Sequence, residues 1–314
     1  MSDTFRTGYC ALVGRPNAGK STLLNSILGG KLAITSNKPQ TTRNRIRGVH
    51  TDEQCQIVLV DTPGIHDAHT ELNKVMVAGA LSTIDECDVV VWLGDMTRLA
   101  RRVERGEDLL DAQDELIAEA LRKSKAPVLL AANKMDIVPK PLVLPVIEAL
   151  SAAVPLAAAV PLSALTGDNV PALIEEIRQR LPVHPPMFPT DQWTELSERF
   201  LAAEVIREKL FHLTSQEIPY ATFVEIEQFD ETDRDGPRGI TRVYAKIVVE
   251  RDSQKGIVIG KGGSMLKRIG TAARKELQKL LDCRVHLELF VKVEKDWSKT
   301  TRGLRRVGFD VDQQ

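Results

Sequence analysis

Gly14-Arg15-Pro16-Asn17-Ala18-Gly19-Lys20-Ser21 decides how this chain is read. The stretch fits G-x-x-x-x-G-K-[ST]. It lies between Tyr9–Val13, an apolar run of strand type, and Ser21–Leu28, whose apolar residues recur at helical spacing. Glycines let successive backbone N–H groups turn inward into an anion-binding nest, and the helix that follows points its positive end at the same place. In such a cradle Lys20 neutralises β- and γ-phosphates and Ser21 offers its hydroxyl to Mg²⁺.

Working outward, the polar stretch Thr35–Arg45 has neither strand nor helix period and reads as a loop. Thr41 or Thr42 could reach the metal when a γ-phosphate is present, as a nucleotide switch requires, and Thr42 is favoured. The apolar run Gln56–Val60 ends in Asp61-Thr62-Pro63-Gly64, where Asp61 stands at a strand's carboxyl end, the place where open α/β sheets bind ligands. Asp61 can hold the Mg²⁺ shell, and the Gly64 N–H can meet the γ-phosphate. The next residue is Ile65, which cannot orient an attacking water, so slow intrinsic hydrolysis is expected. Asn17 has two readings: its amide oxygen could help hold a monovalent cation, or it could close a hydrogen bond within the loop.

A further buried run, Pro127–Ala132, leads into Asn133-Lys134-Met135-Asp136. The Asp136 carboxylate can accept from guanine N1–H and N2–H₂, donors that adenine lacks, so an adenine nucleotide would leave a carboxylate unpaired. Lys134 would pack its stem along the base, Asn133 would tie loops together, and the backbone N–H groups of Ser163-Ala164 can meet guanine O6. Pro161 just before them implies a strand end or an edge strand. The catalytic candidates are Lys20, Thr42 and Gly64, and the metal candidates Ser21, Thr42 and Asp61.

A length of 314 residues suits two domains. Pro182–Pro189 is proline-rich and reads as a stiff linker, dividing residues 1–181 from 191–314 with 182–190 between them. Composition is that of an ordinary globular chain, 43% hydrophobic and 27% charged with a net charge of −1, which argues against a disordered or collagenous protein. The four cysteines are far apart and the six histidines show no metal spacing, which disfavours a disulfide scaffold or zinc centre. Met1–Arg6 lacks the apolar core of a signal peptide, and the most apolar region, residues 141–165, is broken by four prolines. A cytosolic protein is therefore expected.

The second half reads helix, strand, strand, helix, helix, strand. Between its last two helices stands Gly260-Lys261-Gly262-Gly263, preceded by Ile257-Val258-Ile259. A GXXG loop in this setting clamps single-stranded nucleic-acid backbone in KH domains. Charge agrees: residues 255–306 hold 14 Lys/Arg against 5 Asp/Glu, whereas residues 191–254 hold 8 against 14. Candidate RNA contacts are Ile257–Gly263, Lys267, Arg268, Lys292, Lys295, Lys299 and Arg302. Residues 98–119, dense in both charge signs, are expected to form a solvated helical face, with RNA contact by Arg98, Arg101, Arg102 and Arg105 as the alternative.

In this order, with Q-T-T-R at Gln40–Arg43 between the first two motifs, the chain resembles the ribosome-associated GTPases of the TrmE–Era group that carry a C-terminal KH domain. The resemblance implies an α/β P-loop GTPase domain, its mostly parallel sheet covered by helices on both faces, followed by an α+β type II KH domain. Carried over, Gly14, Arg15, Pro16, Asn17, Ala18, Gly19, Lys20 and Ser21 would bind phosphates. Thr41 and Thr42 would form the effector loop, and Asp61, Thr62, Pro63, Gly64 and Ile65 the second switch. Asn133, Lys134, Met135 and Asp136 with Ser163 and Ala164 would form the guanine site. It also implies GTP and GDP as ligands, Mg²⁺ as cofactor with K⁺ near Asn17 in some members, binding near the 3′ end of 16S rRNA, a role in 30S assembly and peripheral association with the inner face of the membrane; no DNA is expected. A rival reading is an RNA-binding assembly factor whose nucleotide site is structural. Residues 99–112 depart from the family pattern.

Overall fold

The computed structural model describes residues 5–36, 38, 41–65, 70–215, 217–236 and 239–306. Two compact units divide the chain, Met1–Glu195 and Leu196–Gln314.

The first unit is built on β1 (Arg6–Gly14), β2 (Ile46–Thr51), β3 (Cys55–Asp61), β4 (Val89–Asp95), β5 (Val128–Asn133) and β6 (Ala158–Pro161), in sheet order β2-β3-β1-β4-β5-β6. All pairs are parallel except β2 with β3. Continuous apolar runs such as Val89–Leu93 and Val128–Ala132 suit this arrangement, because a parallel sheet is covered on both faces and needs no polar alternation. Six helices supply the cover: α1 (Lys20–Leu28), α2 (Glu71–Glu86), α3 (Met96–Glu104), α4 (Ala112–Lys123), α5 (Val143–Ala153) and α6 (Val170–Arg180). One core joins Ala11, Val13, Val60, Val90, Trp92 and Leu130 to Ile84 of α2, Leu99 of α3, Ile117 of α4 and Val146 of α5. On the other face α1 packs with α6. Pro161 ends the edge strand β6, where its missing N–H costs no ladder bond.

Residues 182–195, of which 182–190 are expected as a stiff linker, run against the first unit. The His184 N–H donates to the Phe5 carbonyl at 3.0 Å and the Val49 N–H to the Trp193 carbonyl at 2.9 Å. Gln56, fully buried, accepts from the N–H groups of Met187 and Phe188 at 2.8 and 2.9 Å and donates to the Phe188 carbonyl at 3.0 Å. Within residues 98–119 the expected solvated face is present, with Arg101, Glu104, Arg105, Glu107, Asp108 and Glu119 exposed, but its other side is not idle. Asp114 is 3% exposed, Leu99 and Ile117 lie in the core, and Arg98 is paired to Asp114 at 2.6 Å. Arg102 pairs with Glu107 at 3.3 Å, so two of the basic residues are already engaged by neighbours.

The second unit holds α7 (Glu198–Leu213), β7 (Thr222–Asp230), β8 (Ile240–Val249), α8 (Asp252–Ile259), α9 (Ser264–Leu280), β9 (Arg284–Val293) and α10 (Thr301–Arg306). The sheet runs β7-β8-β9, antiparallel then parallel. Its core gathers Ile206 and Leu210 of α7, Val243 to Val249 at alternate positions of β8, Val258 of α8 and Ile269, Ala273 and Leu277 of α9. The four-residue spacing along α9 and the alternation along β8 each bury one face. No helix among the described residues is long and apolar enough to cross a membrane.

Candidate nucleotide and nucleic-acid sites

The carboxyl ends of β1, β3, β4 and β5 open on a cleft of about 560 Å³. Gly14–Lys20 leaves β1, Asp61–Gly64 leaves β3, Asp95 ends β4 and Asn133–Asp136 leaves β5, so motifs more than a hundred residues apart meet at one edge. Helix α1 begins without a side-chain cap, which leaves its first N–H groups for an anion. Lys20 is 6% exposed and donates from Nζ to the carbonyls of Gly14 and Arg15 at 3.1 and 2.9 Å. Burial pushes its ammonium down to about 8, against the pull of Asp61.

Beside it stands a set of hard oxygen donors. Ser21 Oγ and Thr42 Oγ1 donate to Asp61 Oδ2 at 2.8 and 3.0 Å and lie 2.9 Å from each other. Burial raises the Asp61 carboxyl, and Lys20 and the two hydroxyls oppose that shift. Asp61 Oδ1 is buried with no hydrogen-bond partner. Two hydroxyls and a carboxylate with an oxygen to spare suit Mg²⁺, which takes one or two carboxylates plus phosphate oxygens. Of the two threonines, Thr42 joins this set; Thr41 also lines the cleft.

Gly64 closes the phosphate end. A Cβ there would lie 2.6 Å from the Pro16 nitrogen and 2.7 Å from its Cα, so only glycine lets these loops approach so closely. Ile65 differs from the expectation of a nucleotide contact. Its side chain is fully buried among Val13, Val60 and Val77, and its N–H donates to the Gly14 carbonyl at 3.1 Å. Asn17 lines the cleft with φ 62°.

Asn133 binds three loops together. Its Nδ2 donates to the Ala18 carbonyl at 2.8 Å, and its Oδ1 accepts from the N–H groups of Lys134 and Ala164 at 2.8 and 2.9 Å. The backbone N–H groups expected to meet guanine O6 are engaged inside the protein, that of Ser163 by the Asp168 carbonyl at 3.0 Å and that of Ala164 by Asn133; Ser163 contributes its hydroxyl instead, Oγ donating to Asp136 Oδ1 at 2.7 Å and fixing that carboxylate. Sequence reasoning missed Asp95, whose Oδ2 accepts from Lys134 Nζ at 2.6 Å. Burial alone would raise the Asp95 carboxyl, but Lys134 and Thr97 outweigh it and hold it below the usual range. Its signal was available: an acid at the carboxyl end of an apolar strand, like Asp61.

In the second unit α8 and α9 are joined at Gly260–Gly263, where Gly260, Gly262 and Gly263 all have positive φ. A Cβ on Gly260 would lie 2.7 Å from that of Met265. Helix α9 is 17 residues long and follows Gly263 with no side-chain cap, so its first N–H groups face the loop. Alongside runs a groove of about 470 Å³ between Gly263, Leu266, Lys267, Gly270 and Arg274 on one side and Leu287 and Leu289 of β9 on the other. An apolar floor with a basic rim suits stacked bases and a phosphate chain. Gly270, Arg274, Leu287 and Leu289 were missed because strand and helix meet only in the fold.

Several expected RNA contacts lie elsewhere. Val258 is fully buried in the core, whereas Ile257 beside it is 47% exposed. Lys292 is exposed on β9 but shares parity with Glu288 and Phe290, placing it on the face opposite Leu287 and Leu289. Arg268 and Lys295 are exposed outside the groove lining. Lys299 pairs with Asp296 at 2.7 Å, and the Arg302 side chain lies outside the described residues.

A glycine-rich loop between strand and helix, two hydroxyls gathered on Asp61 and the Asn133–Asp136 turn, at one edge of a mostly parallel sheet and followed by a GXXG fold, define a P-loop GTPase joined to a KH domain. Family models agree: one described as a 50S ribosome-binding GTPase matches residues 9–134, and a KH domain model matches residues 217–298. The chain is 51% identical to GTPase Era of Geobacter metallireducens, with 98% of this chain and all of the relative covered, and 50% identical to GTPase Era of Geotalea uraniireducens over 98% of each. The chain belongs to the Era family of GTPases. It is also similar, at 38% identity and TM-score 0.89 over 98% of this chain and all of the other, to a crystal structure of Era in complex with MgGDPNP and nucleotides 1506–1542 of 16S ribosomal RNA. A variant of Aquifex aeolicus Era bound to GDP·AlF₄⁻ matches at 38% identity and TM-score 0.86, over the same shares of the two chains.

Proposed function

We propose that this GTPase is a switch whose nucleotide state governs a KH groove for 16S rRNA near its 3′ end, and that it acts in assembly of the 30S subunit. The supporting observation is that a relative sharing the whole fold, at TM-score 0.89, holds a Mg²⁺-bound triphosphate analogue and 16S rRNA together. In this reading the N–H groups of Gly14–Ser21 and the Lys20 ammonium receive the β- and γ-phosphates. Ser21, Thr42 and Asp61 hold Mg²⁺, which supplies positive charge where phosphate charge develops. The Gly64 N–H meets the γ-phosphate, so its departure frees both Gly64 and Thr42. Asp136, held by Ser163, selects guanine, and Lys134, held by Asp95, packs along the base. Position 65 gives no side chain to orient water, which accords with slow intrinsic hydrolysis. Asn17 offers an amide oxygen to a monovalent cation; faster turnover in potassium than in sodium supports that role, and equal rates remove it.

The experiment is a paired substitution, Lys261→Asp with Gly262→Asp. Affinity for an oligonucleotide of the 16S 3′ end should fall more than about tenfold, with GTP affinity unchanged. Retained RNA binding moves the nucleic-acid site away from this loop. Multiple-turnover phosphate release, with Lys20→Ala as control, separates the hydrolysing switch from a nucleotide site that is only structural.

A further inference from the structure

Arg15 belongs to the phosphate loop, yet its side chain does not line the cleft. Its guanidinium meets Asp111 Oδ1 at 2.5 Å and Asp114 Oδ2 at 3.3 Å. Those two acids close the start of α4: Asp111 Oδ1 accepts from the N–H groups of Gln113 and Asp114 at 3.0 and 3.2 Å, while the Asp111 N–H donates to Asp114 Oδ2 at 3.2 Å. From α3, Arg98 Nη2 donates to both Asp114 oxygens at 2.6 Å, and Nη1 to Asp111 Oδ2 at 3.3 Å. Arg15 and Arg98, with Arg102 3.9 Å from Asp111 Oδ2, therefore surround the two acids, of which Asp114 is only 3% exposed. The main chain of Arg15 is engaged as well, because its carbonyl accepts from Lys20 Nζ.

A loop with positive φ at Gly14, Asn17 and Gly19 has many alternative conformations, and something must select one. Asn133 ties the Ala18 end to the base reader. The Arg15 end is tied to α4. A planar guanidinium held by two fixed carboxylates loses little entropy per bond, and one of the two, Asp114, is enclosed enough to escape most screening.

We propose that Asp114, fixed by Arg98, is a positioning residue for GTP binding and hydrolysis: through Arg15 it sets the first turn of the phosphate loop, and with it the N–H groups and Lys20 that receive the phosphates. This rests on the reading of Gly14–Ser21 as the phosphate cradle. It also gives residues 98–119 a task that their charge pattern hid.

Arg15→Gln cuts the link but leaves Arg98, Asp111 and Asp114 paired, so it is the variant expected to fold intact; Asp114→Asn and the double variant complete a cycle. Binding of GTP, GDP and xanthosine triphosphate is measured well below each variant's Tm, together with single-turnover hydrolysis. Arg15→Gln should weaken GTP and GDP about tenfold, Asp114→Asn by less because Asp111 still holds Arg15, and the double change no more than Arg15→Gln alone, because that substitution already cuts the link. The preference for guanine over xanthine should stay as in the wild type, and Arg15→Lys should recover part of the loss. Unchanged affinities in folded Arg15→Gln, or losses that simply add, overturn the proposal. So does Asp114→Asn that lowers Tm while leaving nucleotide binding intact. A wild-type chain that binds no guanine nucleotide sinks the cradle reading itself, which is a different failure.

Discussion

The Lys20 ammonium gives the nucleotide site a pH dependence that can be worked out before any measurement. In the empty cleft burial brings its pKa to about 8, from an ordinary lysine value near 10.4. The difference corresponds to roughly 3 kcal/mol against the charged form, and enclosure at 6% exposure leaves little for solvent to screen. A bound polyphosphate supplies opposite charge within contact distance and restores the ammonium. The bound state then holds more protons than the empty one at any pH above about 8, so the association constant must fall as pH rises through that value. It should be flat below about pH 7.5 and about tenfold weaker near pH 9, approaching one decade per unit. The fold without nucleotide responds in the opposite direction: the penalty is present in full below about pH 8 and is relieved as the lysine loses its proton, so stability rises with pH. Equilibrium titration with a fluorescent GDP reads the effect up to about pH 9, with the onset of guanine N1–H ionisation, common to wild type and Lys20→Ala, subtracted using the variant. Lys20→Ala should bind weakly and without this slope. A wild-type affinity constant within about twofold from pH 7 to pH 9 would refute the reasoning, since it requires a lysine already charged in the empty cleft.

Three further outcomes follow from single contacts. Gly64→Ala brings a Cβ to 2.6 Å from the Pro16 nitrogen, and backbone cannot give way as a side-chain tip can; single-turnover hydrolysis should drop more than about tenfold while GDP affinity changes little, and a normal rate would show that the loops need not touch. Asp136→Asn exchanges an acceptor for a donor, so GTP should weaken and xanthosine triphosphate improve in competition binding; a guanine preference left intact would place the base reader elsewhere. Gln56→Leu removes three bonds to the backbone of residues 187–188, at a cost of about 2–4 kcal/mol, so the Met187 and Phe188 amides should exchange with solvent far sooner than in the wild type; unchanged exchange there would mean that this stretch is held by other contacts.

What could be read in the sequence, and what could not, divides along a physical line. Gly14–Ser21, Asp61–Gly64 and Asn133–Asp136 are legible because phosphate and guanine demand particular groups at fixed backbone spacing, and each motif carries its strand with it. The buried strands are legible too, since a run such as Val128–Ala132 has no polar side to offer water. Side chains that act across the fold leave no such spacing. Asp95 and Lys134 are 39 residues apart and meet only because β4 and β5 pair in parallel, opposing Asp95 to Asn133. Leu287 and Leu289 read as one half of an ordinary alternating strand until α9 is laid beside them.

Charge and proline patterns mislead for a related reason: both describe what a segment does in water, not what it meets. Residues 182–189 look like a spacer because proline removes donors and fixes φ, yet the donors and acceptors that remain, at His184, Met187 and Phe188, are those bonded to Phe5 and Gln56. The signal was one buried amide, Gln56, at the head of an otherwise apolar strand. The Arg98–Glu119 stretch carries the same lesson with opposite polarity. Most of its charges face solvent, but Arg98 is balanced against Asp114, and Asp111 against Arg15 of the phosphate loop. Sequence shows that the charges cancel. Only the fold shows that they do so against the phosphate loop, which makes an apparently idle segment a candidate for control of the chemistry.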